Sequence, residues 1–368
     1  MILLSIIKPF VRLGLKILSI VLFVLTLVSA YGGRVNPEYF AYPSILTLAL
    51  PYFAIATALV TVAWFCSGRW ITAALGVGTL VLAWSPITTA FPLHCSKSPE
   101  VESRTFTLLT YNTVHGWDQE HPEDPYSPRT FRYILESGAD LVGLQEAVDL
   151  NDKNEIPSLE GGLRDSLYKA YPYRAGTWQS DIKVLSKYPV KMIKEYYTYT
   201  LFEVSMPWGK LHWINMHMTS FDLTDEERHV MREVVSVKDT EAGLREMNGS
   251  LKDKLKNGFV KRARKAAELR ELVESTPGPL IVSGDFNDVP ESYAYRLLRG
   301  DDLCDAYTET SFGPLVTYNR HGFWFHIDQV LYRPDPLKAL KLEKGRLRSS
   351  DHYPLMVTFE WLKNNPSK

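Results

Sequence analysis

The chain carries at residues 280–288 the stretch LIVSGDFND, in which an apolar run leads directly into an acid and an amide two positions apart. Consecutive aliphatic residues followed by turn-forming residues are typical of a buried strand. If the segment stays extended, alternation directs Asp285 and Asn287 to the same side. The alternative interpretation is an Asx turn that ends the strand, because Gly, Asp and Asn are all common there.

Four further polar motifs recur along the chain in a fixed order. They are Thr110-Tyr111-Asn112, Leu144-Gln145-Glu146, Asn215-Met216-His217, and Ile327-Asp328 with Ser350-Asp351-His352. Together with residues 280–288 they resemble the endonuclease/exonuclease/phosphatase superfamily, the metal-dependent phosphodiesterases and phosphomonoesterases related to deoxyribonuclease I. The resemblance covers about residues 105–359, and the first hundred residues lie outside it.

The part of the chain that carries these motifs alternates short apolar runs with polar segments. The pattern predicts helices at 128–137 and 257–275, and strands at 105–111, 140–144, 182–185, 201–204, 210–216, 279–282, 327–332 and 354–361. Such a mixture indicates an α/β or α+β domain. The resemblance implies a four-layer sandwich over residues 104–362, with two packed, mainly antiparallel sheets flanked by helices.

A divalent metal site follows from the resemblance, with Glu146, Asn112 and Asp351 as its residues. Glu146 ends the apolar run 141–144, so its carboxylate is expected at the end of a strand. Magnesium prefers few carboxylates and several waters, which suits a site with one dominant acid. The expected cofactor is therefore Mg²⁺ or Mn²⁺.

The catalytic roles are also those that the resemblance implies. Asp285 would position or deprotonate the attacking water, and Asn287 would contact the scissile phosphate. His217 would stabilise the transition state or protonate the leaving oxygen. His352 would be the second catalytic histidine, with Asp328 holding its tautomer and favouring its protonated form. The predicted substrate-binding residues are Asn112, Asn287 and His217.

Some positions depart from the family pattern. Asp181 and Lys183 stand where small or apolar residues are usual, which predicts an altered pocket wall. His326 stands where arginine is common, which puts the leaving-group contacts in question. The charged segment 219–258 is either a surface excursion or a lid that selects substrate.

The first 91 residues contain three apolar stretches, at about 13–30, 43–66 and 70–91. A span needs ~20 mostly apolar residues to cross a hydrocarbon core of ~30 Å. The first stretch resembles a cleavable signal peptide, but the two that follow favour a transmembrane anchor of three spans. Residues 92–103 form a polar linker.

Basic residues around the spans predict the orientation of this anchor. Lys8, Arg12 and Lys16 lie at the start of the first span and Arg69 lies between the second and third, so both places are expected to face the cytoplasm. Three spans then put the catalytic domain on the non-cytoplasmic side, which is the periplasm in a Gram-negative bacterium.

Charge limits the substrates that we expect. Residues 1–96 hold five basic residues and one acid, which leaves 36 basic and 41 acidic residues for the rest of the chain. An acidic domain is poorly equipped for tight binding to duplex DNA, which depends on Lys and Arg. The three cysteines have no metal-ligand spacing, so neither a zinc site nor a disulfide framework is indicated.

The predicted function is hydrolysis of a phosphate ester, most simply of a phosphodiester, outside the cytoplasm. The substrate could be a phospholipid or inositol-phosphate headgroup, a nucleic acid or another phosphodiester, and no protein partner is indicated. One alternative is an extracytoplasmic nuclease, which a basic groove around 261–265 would favour. The other is a catalytically silent binding module, which should lack at least one motif element.

Overall fold

The computed structural model of the chain describes residues 2–99, 104–121, 123–124, 128–149, 162–177, 180–221, 223–224, 249–320 and 323–362. Residues 222 and 225–248, most of the charged segment whose role the sequence leaves open, lie outside the described residues.

The N-terminal part is helical. Its helices are α1 (Ile2–Tyr31), α2 (Tyr42–Thr47), α3 (Leu50–Cys66), α4 (Trp70–Leu82) and α5 (Trp84–Ala90). A single 3-10 turn, Gly32–Arg34, follows α1.

From Arg104 onward the chain forms a sandwich of two sheets with helices. Its strands are β1 (Arg104–Asn112), β2 (Leu141–Gln145), β3 (Tyr173–Ala175), β4 (Lys183–Ser186), β5 (Val190–Tyr196), β6 (Tyr199–Met206), β7 (Gly209–His217), β8 (Leu280–Asp285), β9 (Cys304–Asp305), β10 (Tyr318–Arg320), β11 (Phe323–Phe325), β12 (Asp328–Tyr332), β13 (Leu337–Lys344) and β14 (Leu355–Trp361). Its helices are α6 (Arg129–Ser137), α7 (Leu163–Ala170), α8 (Gly249–Ser275), α9 (Tyr293–Arg299) and α10 (Ala306–Thr310).

The two large sheets are mixed. The first has the strand order β13-β14-β1-β2-β4-β3 and the second β5-β6-β7-β8-β12-β9. Each contains one parallel pair at its centre, β1 with β2 and β7 with β8, while the other pairings are antiparallel. Each predicted strand overlaps a strand of the structure, and α6 and α8 confirm the two predicted helices.

Three apolar clusters hold the layers together. Side chains such as Leu108 and Trp213 from facing strands fill the space between the sheets. Phe131 of α6 packs on the outer face of the first sheet, and Leu269 of α8 packs on the outer face of the second. The sheets approach closely at Gly143, where a Cβ atom would lie 2.7 Å from Trp213. The result is the expected sandwich of two sheets flanked by helices.

The predicted spans are not three unbroken helices. The first, 13–30, lies within α1, and the helical stretch Pro9–Arg34, which includes the 3-10 turn after α1, is long and apolar enough to cross a membrane. The second, 43–66, is divided between α2 and α3, and α3 has 17 residues. The third, 70–91, is divided between α4 and α5, which are bent by 64°. The prediction of three spans is therefore wrong: the described residues contain one helix of spanning length, or two if the bent pair counts as one span.

Proline explains both interruptions. Pro51 lies four residues after Thr47, where α2 ends, and Pro86 lies four residues after Leu82, where α4 ends. A proline ring clashes with the carbonyl four residues before it and supplies no N–H for that carbonyl. The hydroxyl of Tyr31 instead donates to the Leu82 carbonyl at 2.5 Å.

The N-terminal helices pack directly on the sandwich. Gly33 lies so close to the backbone of Glu291 that a side chain at this position has no room. The hydroxyl of Tyr307 donates to the carbonyl of Ala90, at the end of α5, at 2.9 Å. These contacts fix the ends of α1 and α5 against α9 and α10, so the helices border one side of the sandwich.

Candidate active site

The motif residues meet because they lie at the carboxyl ends of the central parallel strands. Asn112 ends β1 opposite Gln145, the last residue of β2, and Glu146 follows directly. His217 ends β7 opposite Asp285, the last residue of β8. β12 begins on the other side of β8, where Asp328 is paired with Asp285. Neighbouring parallel strands end at the same edge, so side chains far apart in sequence converge there.

Asp285 lies at the centre of this group. Its side chain is 1% exposed, and its Oδ2 accepts a hydrogen bond from Asn112 Nδ2 at 3.1 Å. The Nε2 atoms of His217 and His352 lie 3.8 Å and 3.6 Å from the same oxygen. Burial raises the pKa of the Asp285 carboxyl, although the two histidines act in the opposite direction. A carboxylate with a raised pKa is well suited to accept a proton.

Asn287 reaches Asp285 through a turn. Its φ angle of +49° is left-handed, so the predicted extended conformation is wrong at this residue. The backbone N–H of Asn287 donates to Asp285 Oδ1 at 2.7 Å, which is an Asx turn. The side-chain amide still donates to Asp285 Oδ2 at 3.0 Å and to the carbonyl of Met218 at 2.8 Å. The turn and the pairing of the two side chains thus coexist.

His217 is held between carboxylates. Its Nδ1 lies 2.9 Å from Asp181 Oδ2, and its Nε2 lies 3.5 Å from Glu146 Oε1. Burial alone would lower the pKa of His217, but the hydrogen bond to Asp181 and the charges of Asp285 and Glu146 outweigh it and raise the pKa to about 9. The imidazole is therefore protonated at neutral pH.

His352 forms a second pair of the same kind. Its Nδ1 lies 2.8 Å from Asp328 Oδ2, and the ring of Tyr318 meets the imidazole edge to face at 5.1 Å. Burial acts to lower the pKa of His352, but the charges of Asp328 and Asp285 raise it to about 10. Asp328 in turn is fixed by the hydroxyl of Thr317, which accepts from its backbone N–H.

Glu146 takes a left-handed conformation, with φ of +45°, and lines the pocket above Asp285. Asn112 Nδ2 donates to its Oε1 at 3.0 Å. The Asn112 Oδ1 accepts from the N–H of Val114 at 3.2 Å, so the orientation of the amide is fixed. The nitrogen of Asn112, not its oxygen, therefore faces the two carboxylates. This geometry favours a role in orienting Glu146 and Asp285 over the predicted role of metal ligand.

Asp351 lies on the other side of the pocket. Its Oδ2 is 3.4 Å from Nη1 of Arg320, a side chain that also lines the pocket. Arg320 belongs to the small hairpin of β10 and β11, which no sequence motif marks. It places a cation in the wall of the pocket, beside Asp351.

The charged side chains of the site suit a divalent cation. They are Glu146, Asp181, His217, Asp285, Arg320, Asp328, Asp351 and His352. With both histidines protonated, five carboxylates face three cations, which leaves two formal negative charges at the site. Glu146 and Asp351 offer carboxylate oxygens to the pocket, and Mg²⁺ and Mn²⁺ prefer such ligands.

Asp285, Asp328 and His352 also offer one potential ligand atom each within 4.8 Å of one another. His352 Nδ1 pairs with Asp328 Oδ2 at 2.8 Å, and its Nε2 lies 3.6 Å from Asp285 Oδ2. This cluster and the carboxylates of Glu146 and Asp351 in the same pocket are both candidates for holding a cation.

The departures from the family pattern have structural explanations. Lys183 is 6% exposed and donates to the carbonyls of Thr177 and Ser180, so it stabilises a loop behind the pocket. Asp181 is the partner of His217, a role that the sequence did not reveal. His326 is buried, which lowers the pKa of its imidazole to about 3, so it is neutral and does not replace an arginine cation.

The fold and this set of residues define a class: an α/β sandwich with acids, amides and histidines at the ends of its central strands. Residues 109–352 match the model of the Endonuclease/Exonuclease/phosphatase family, and the chain belongs to this family. Its members are usually hydrolases of phosphoester bonds. Residues 12–90 match a second family model, described as a domain of unknown function (DUF8431). No curated protein matches the sequence.

Several solved structures are similar in fold. A truncated Caenorhabditis elegans TDP2 is 19% identical, covers 70% of this chain and 98% of its own, and has a TM-score of 0.43. Sphingomyelinase C from Streptomyces griseocarneus is 15% identical, with coverages of 70% and 99% and a TM-score of 0.41. A mutant beta toxin from Staphylococcus aureus with bound magnesium ions is 15% identical, with coverages of 71% and 100% and a TM-score of 0.39. Such low identities leave the substrate open.

Proposed function

We propose that the protein is a Mg²⁺- or Mn²⁺-dependent phosphodiesterase that acts on the non-cytoplasmic side of a membrane. The observation that carries this proposal is the convergence of two Asp–His pairs on Asp285 beside Glu146. Hydrolysis of a phosphate ester requires an activated water, a neutralised phosphoryl charge and a protonated leaving group. The site contains a residue for each task.

Glu146 and Asp351 would hold the cation, because both present carboxylate oxygens to the pocket. When bound, the cation neutralises charge on the phosphoryl group and lowers the pKa of bound water. Asn112 keeps the Glu146 carboxylate in position. Arg320 adds a second, fixed positive charge near Asp351.

Asp285 orients the attacking water and accepts its proton, for which a raised pKa is favourable. His217, protonated through Asp181, donates a proton to the leaving oxygen or stabilises the charge that develops on the phosphate. His352 and Asn287 hold the other side of Asp285 and face the phosphate. The two histidines thus supply positive charge where the transition state gains negative charge.

The membrane part of the proposal rests on the N-terminal helices. Trp64 of α3 donates to Ser19 of α1 at 2.8 Å, and the hydroxyls of Thr26 and Thr57 lie 2.8 Å apart. These contacts make α1 and α3 antiparallel. The basic start of α1 and the Arg69 turn after α3 therefore lie at the end remote from the sandwich. This charge distribution supports a cytoplasmic location for the remote end and a non-cytoplasmic one for the sandwich.

The alternatives receive less support. The basic residues around 261–265 that would favour a nuclease are largely paired: Arg262 contacts Asp288, and Lys265 contacts Glu268. Arg264 contacts Glu38 of the N-terminal part. These side chains therefore do not form an open basic groove. A silent binding module should lack a site residue, but all the predicted ones are present and convergent.

Hydrolysis of bis(4-nitrophenyl) phosphate by the full chain in detergent tests the proposal. We expect turnover with Mg²⁺ or Mn²⁺, no turnover with chelator, and loss of turnover in His217→Ala. The matched control is His212→Ala, a half-buried histidine on the same strand that lies outside the site. Metal-independent turnover, or equal loss in both variants, would contradict the assigned chemistry.

A further inference from the structure

A second, mostly apolar cleft lies between the N-terminal helices and the sandwich. Its walls include Tyr52 and Ile55 from α3, Phe91 after α5, and Trp324 of β11. Ile55 and Trp324 are 52% and 60% exposed, so the cleft is open to its surroundings. Its volume is about 270 Å³, close to the ~300 Å³ at which ligand pockets begin.

The cleft is continuous with the active site. Leu48, which joins α2 to α3, and Phe325, which ends β11, line both the cleft and the pocket that contains Glu146, Asp285 and His352. A ligand can therefore place a polar group at Asp285 and an attached apolar group in the cleft. Nothing in phosphodiester chemistry itself requires such an apolar extension.

The other end of the cleft leads onto the apolar surface of α3. Ile55 lies at the cleft, and Leu59, Val62 and Phe65 follow it along the helix with exposures of 67%, 60% and 56%. Exposed apolar side chains in such a series are typical of a surface that contacts lipid. The cleft thus connects a lipid-facing helix to the catalytic pocket.

Two buried polar atoms in the cleft have no hydrogen-bond partner among the described residues. They are Oε1 of Glu291, a side chain with 5% exposure, and Nε2 of His326, with 8% exposure. Both atoms are themselves covered, so they lie behind the wall of the cleft, where a polar group without a partner costs free energy. Burial raises the pKa of Glu291 to about 8.

We propose that the substrate is a membrane phosphodiester lipid, with its phosphate at Asp285 and an acyl chain in the cleft. The inference rests on the proposed function and deepens it by naming the substrate class. Water would attack phosphorus, and one P–O ester bond of the lipid would break. Asp285 would take a proton from the water, and His217 would give a proton to the leaving oxygen. The products are a phosphomonoester and an alcohol, and no further reactant is needed.

The test uses the full chain in detergent micelles with Mn²⁺. Dioleoyl phosphatidylglycerol, phosphatidylethanolamine and phosphatidylcholine are compared with the matching glycerophosphodiesters, which have the same headgroups and no acyl chains. We expect at least one lipid to be hydrolysed with a kcat/KM about ten-fold or more above that of its chain-free counterpart, since only the lipid fills the cleft.

Cleft variants separate this effect from simple enrichment of lipid in the micelle. Ile55→Asn and Leu48→Trp are expected to lower the ratio of lipid to bis(4-nitrophenyl) phosphate kcat/KM by about ten-fold, because they remove apolar contact or block the junction. Val77→Asn, which changes an exposed β-branched residue of α4 outside the cleft, leaves the ratio and the basal activity unchanged. An unchanged ratio in both cleft variants, or equal turnover with and without acyl chains, overturns the proposal.

A second readout does not depend on turnover. Phosphatidylcholine with a diazirine at the end of one acyl chain is photolysed with the protein, and labelled peptides are mapped. If residues 48–55 and 324–326 are labelled, and Leu48→Trp abolishes this labelling, the acyl chain binds in the cleft. This result supports the proposal even if the enzyme is inactive. Turnover of bis(4-nitrophenyl) phosphate without such labelling leaves the proposed function intact and rejects the lipid substrate.

Discussion

Asp181 Oδ2 lies 2.9 Å from Nδ1 of His217, on the side of the imidazole opposite Glu146 and Asp285. The same arrangement recurs at Asp328 and His352, with a distance of 2.8 Å. In both pairs the carboxylate fixes the ring and favours its protonated form, and the other nitrogen faces Asp285. Two cationic imidazoles thus lie on either side of one buried carboxylate.

Asp181→Asn tests the first of these pairs. Asparagine keeps the size of the side chain but removes the charge that raises the pKa of His217 to about 9. We expect the alkaline limb of the kcat/KM profile for bis(4-nitrophenyl) phosphate to move to lower pH. We also expect kcat/KM to fall by about 100-fold or more, because Asp181 holds the tautomer and orientation of His217. A lower kcat/KM with an unmoved alkaline limb would show that Asp181 is only structural.

Glu146→Gln tests the metal site. The amide keeps the shape of the side chain but removes a negative charge and one anionic ligand oxygen. Mn²⁺ binding is measured by electron paramagnetic resonance. We expect the Mn²⁺ concentration for half-maximal binding to rise by about ten-fold or more, since hard cations prefer carboxylates. Glu343→Gln, a carboxylate on the surface of β13, serves as control and should leave the binding curve in place. Equal binding by the two variants contradicts the assignment.

Stability in chelator should depend on pH through His352. Its pKa is raised from 6.5 to about 10, so its contribution to stability is complete below pH 6.5 and is lost as pH rises towards 10. One such group changes the free energy of unfolding by up to ~1.4 kcal/mol per pH unit in that window. We expect the melting temperature to fall between pH 6.5 and 10, and to fall less in Asp328→Asn.

A buried histidine with a lowered pKa supplies the control. His326 is neutral throughout this window, since burial lowers its pKa to about 3. His326→Gln should therefore keep the wild-type slope of melting temperature against pH. If the melting temperature of Asp328→Asn falls with pH as steeply as that of the wild type, the Asp328–His352 pair is not the cause of the pH dependence.

Native cysteines test the orientation in the membrane. Cys66 lies exposed at the end of α3 near Arg69, and Cys95 lies exposed in the linker after α5. In a Cys304→Ser background, we expect a membrane-impermeant maleimide added to spheroplasts to label Cys95 and to leave Cys66 unmodified. Labelling of each cysteine alone, with the other replaced by alanine, assigns the signal. The reverse pattern places the sandwich in the cytoplasm and contradicts the proposed location.

Much of the sandwich could be predicted because its strands are apolar runs of distinctive length. β8 and β12 are fully buried, and their sequences show it. The peripheral strands β3 and β5 carry exposed polar side chains, which interrupt their apolar pattern. β10 and β11 form a hairpin of three residues each, and strands so short show no alternation, even though β11 is Phe-Trp-Phe. The three-span prediction was wrong because hydropathy does not register Pro51 and Pro86, which interrupt the helices.

The sequence predicted the active site only in part, for the same reason. Asn112, Glu146, Asp285 and His352 follow recognisable motifs, and strand order brings them together. Asp181 was noticed only as a departure, because its pairing with His217 joins positions that lie 36 residues apart in sequence. Arg320 has no motif, and its position depends on how a small hairpin folds over the pocket. Contacts of this kind follow from tertiary packing and leave little local signal.

The central claim is that Asp285 acts on the attacking water while other residues hold the cation. Asp285→Asn keeps the shape of the side chain and removes the proton acceptor. With saturating Mn²⁺, we expect kcat for bis(4-nitrophenyl) phosphate to fall by about 100-fold or more, as for loss of a general base. The affinity for Mn²⁺, measured by electron paramagnetic resonance, should stay within a factor of about two, because Glu146 and Asp351 remain. Turnover close to wild type in Asp285→Asn would contradict the account.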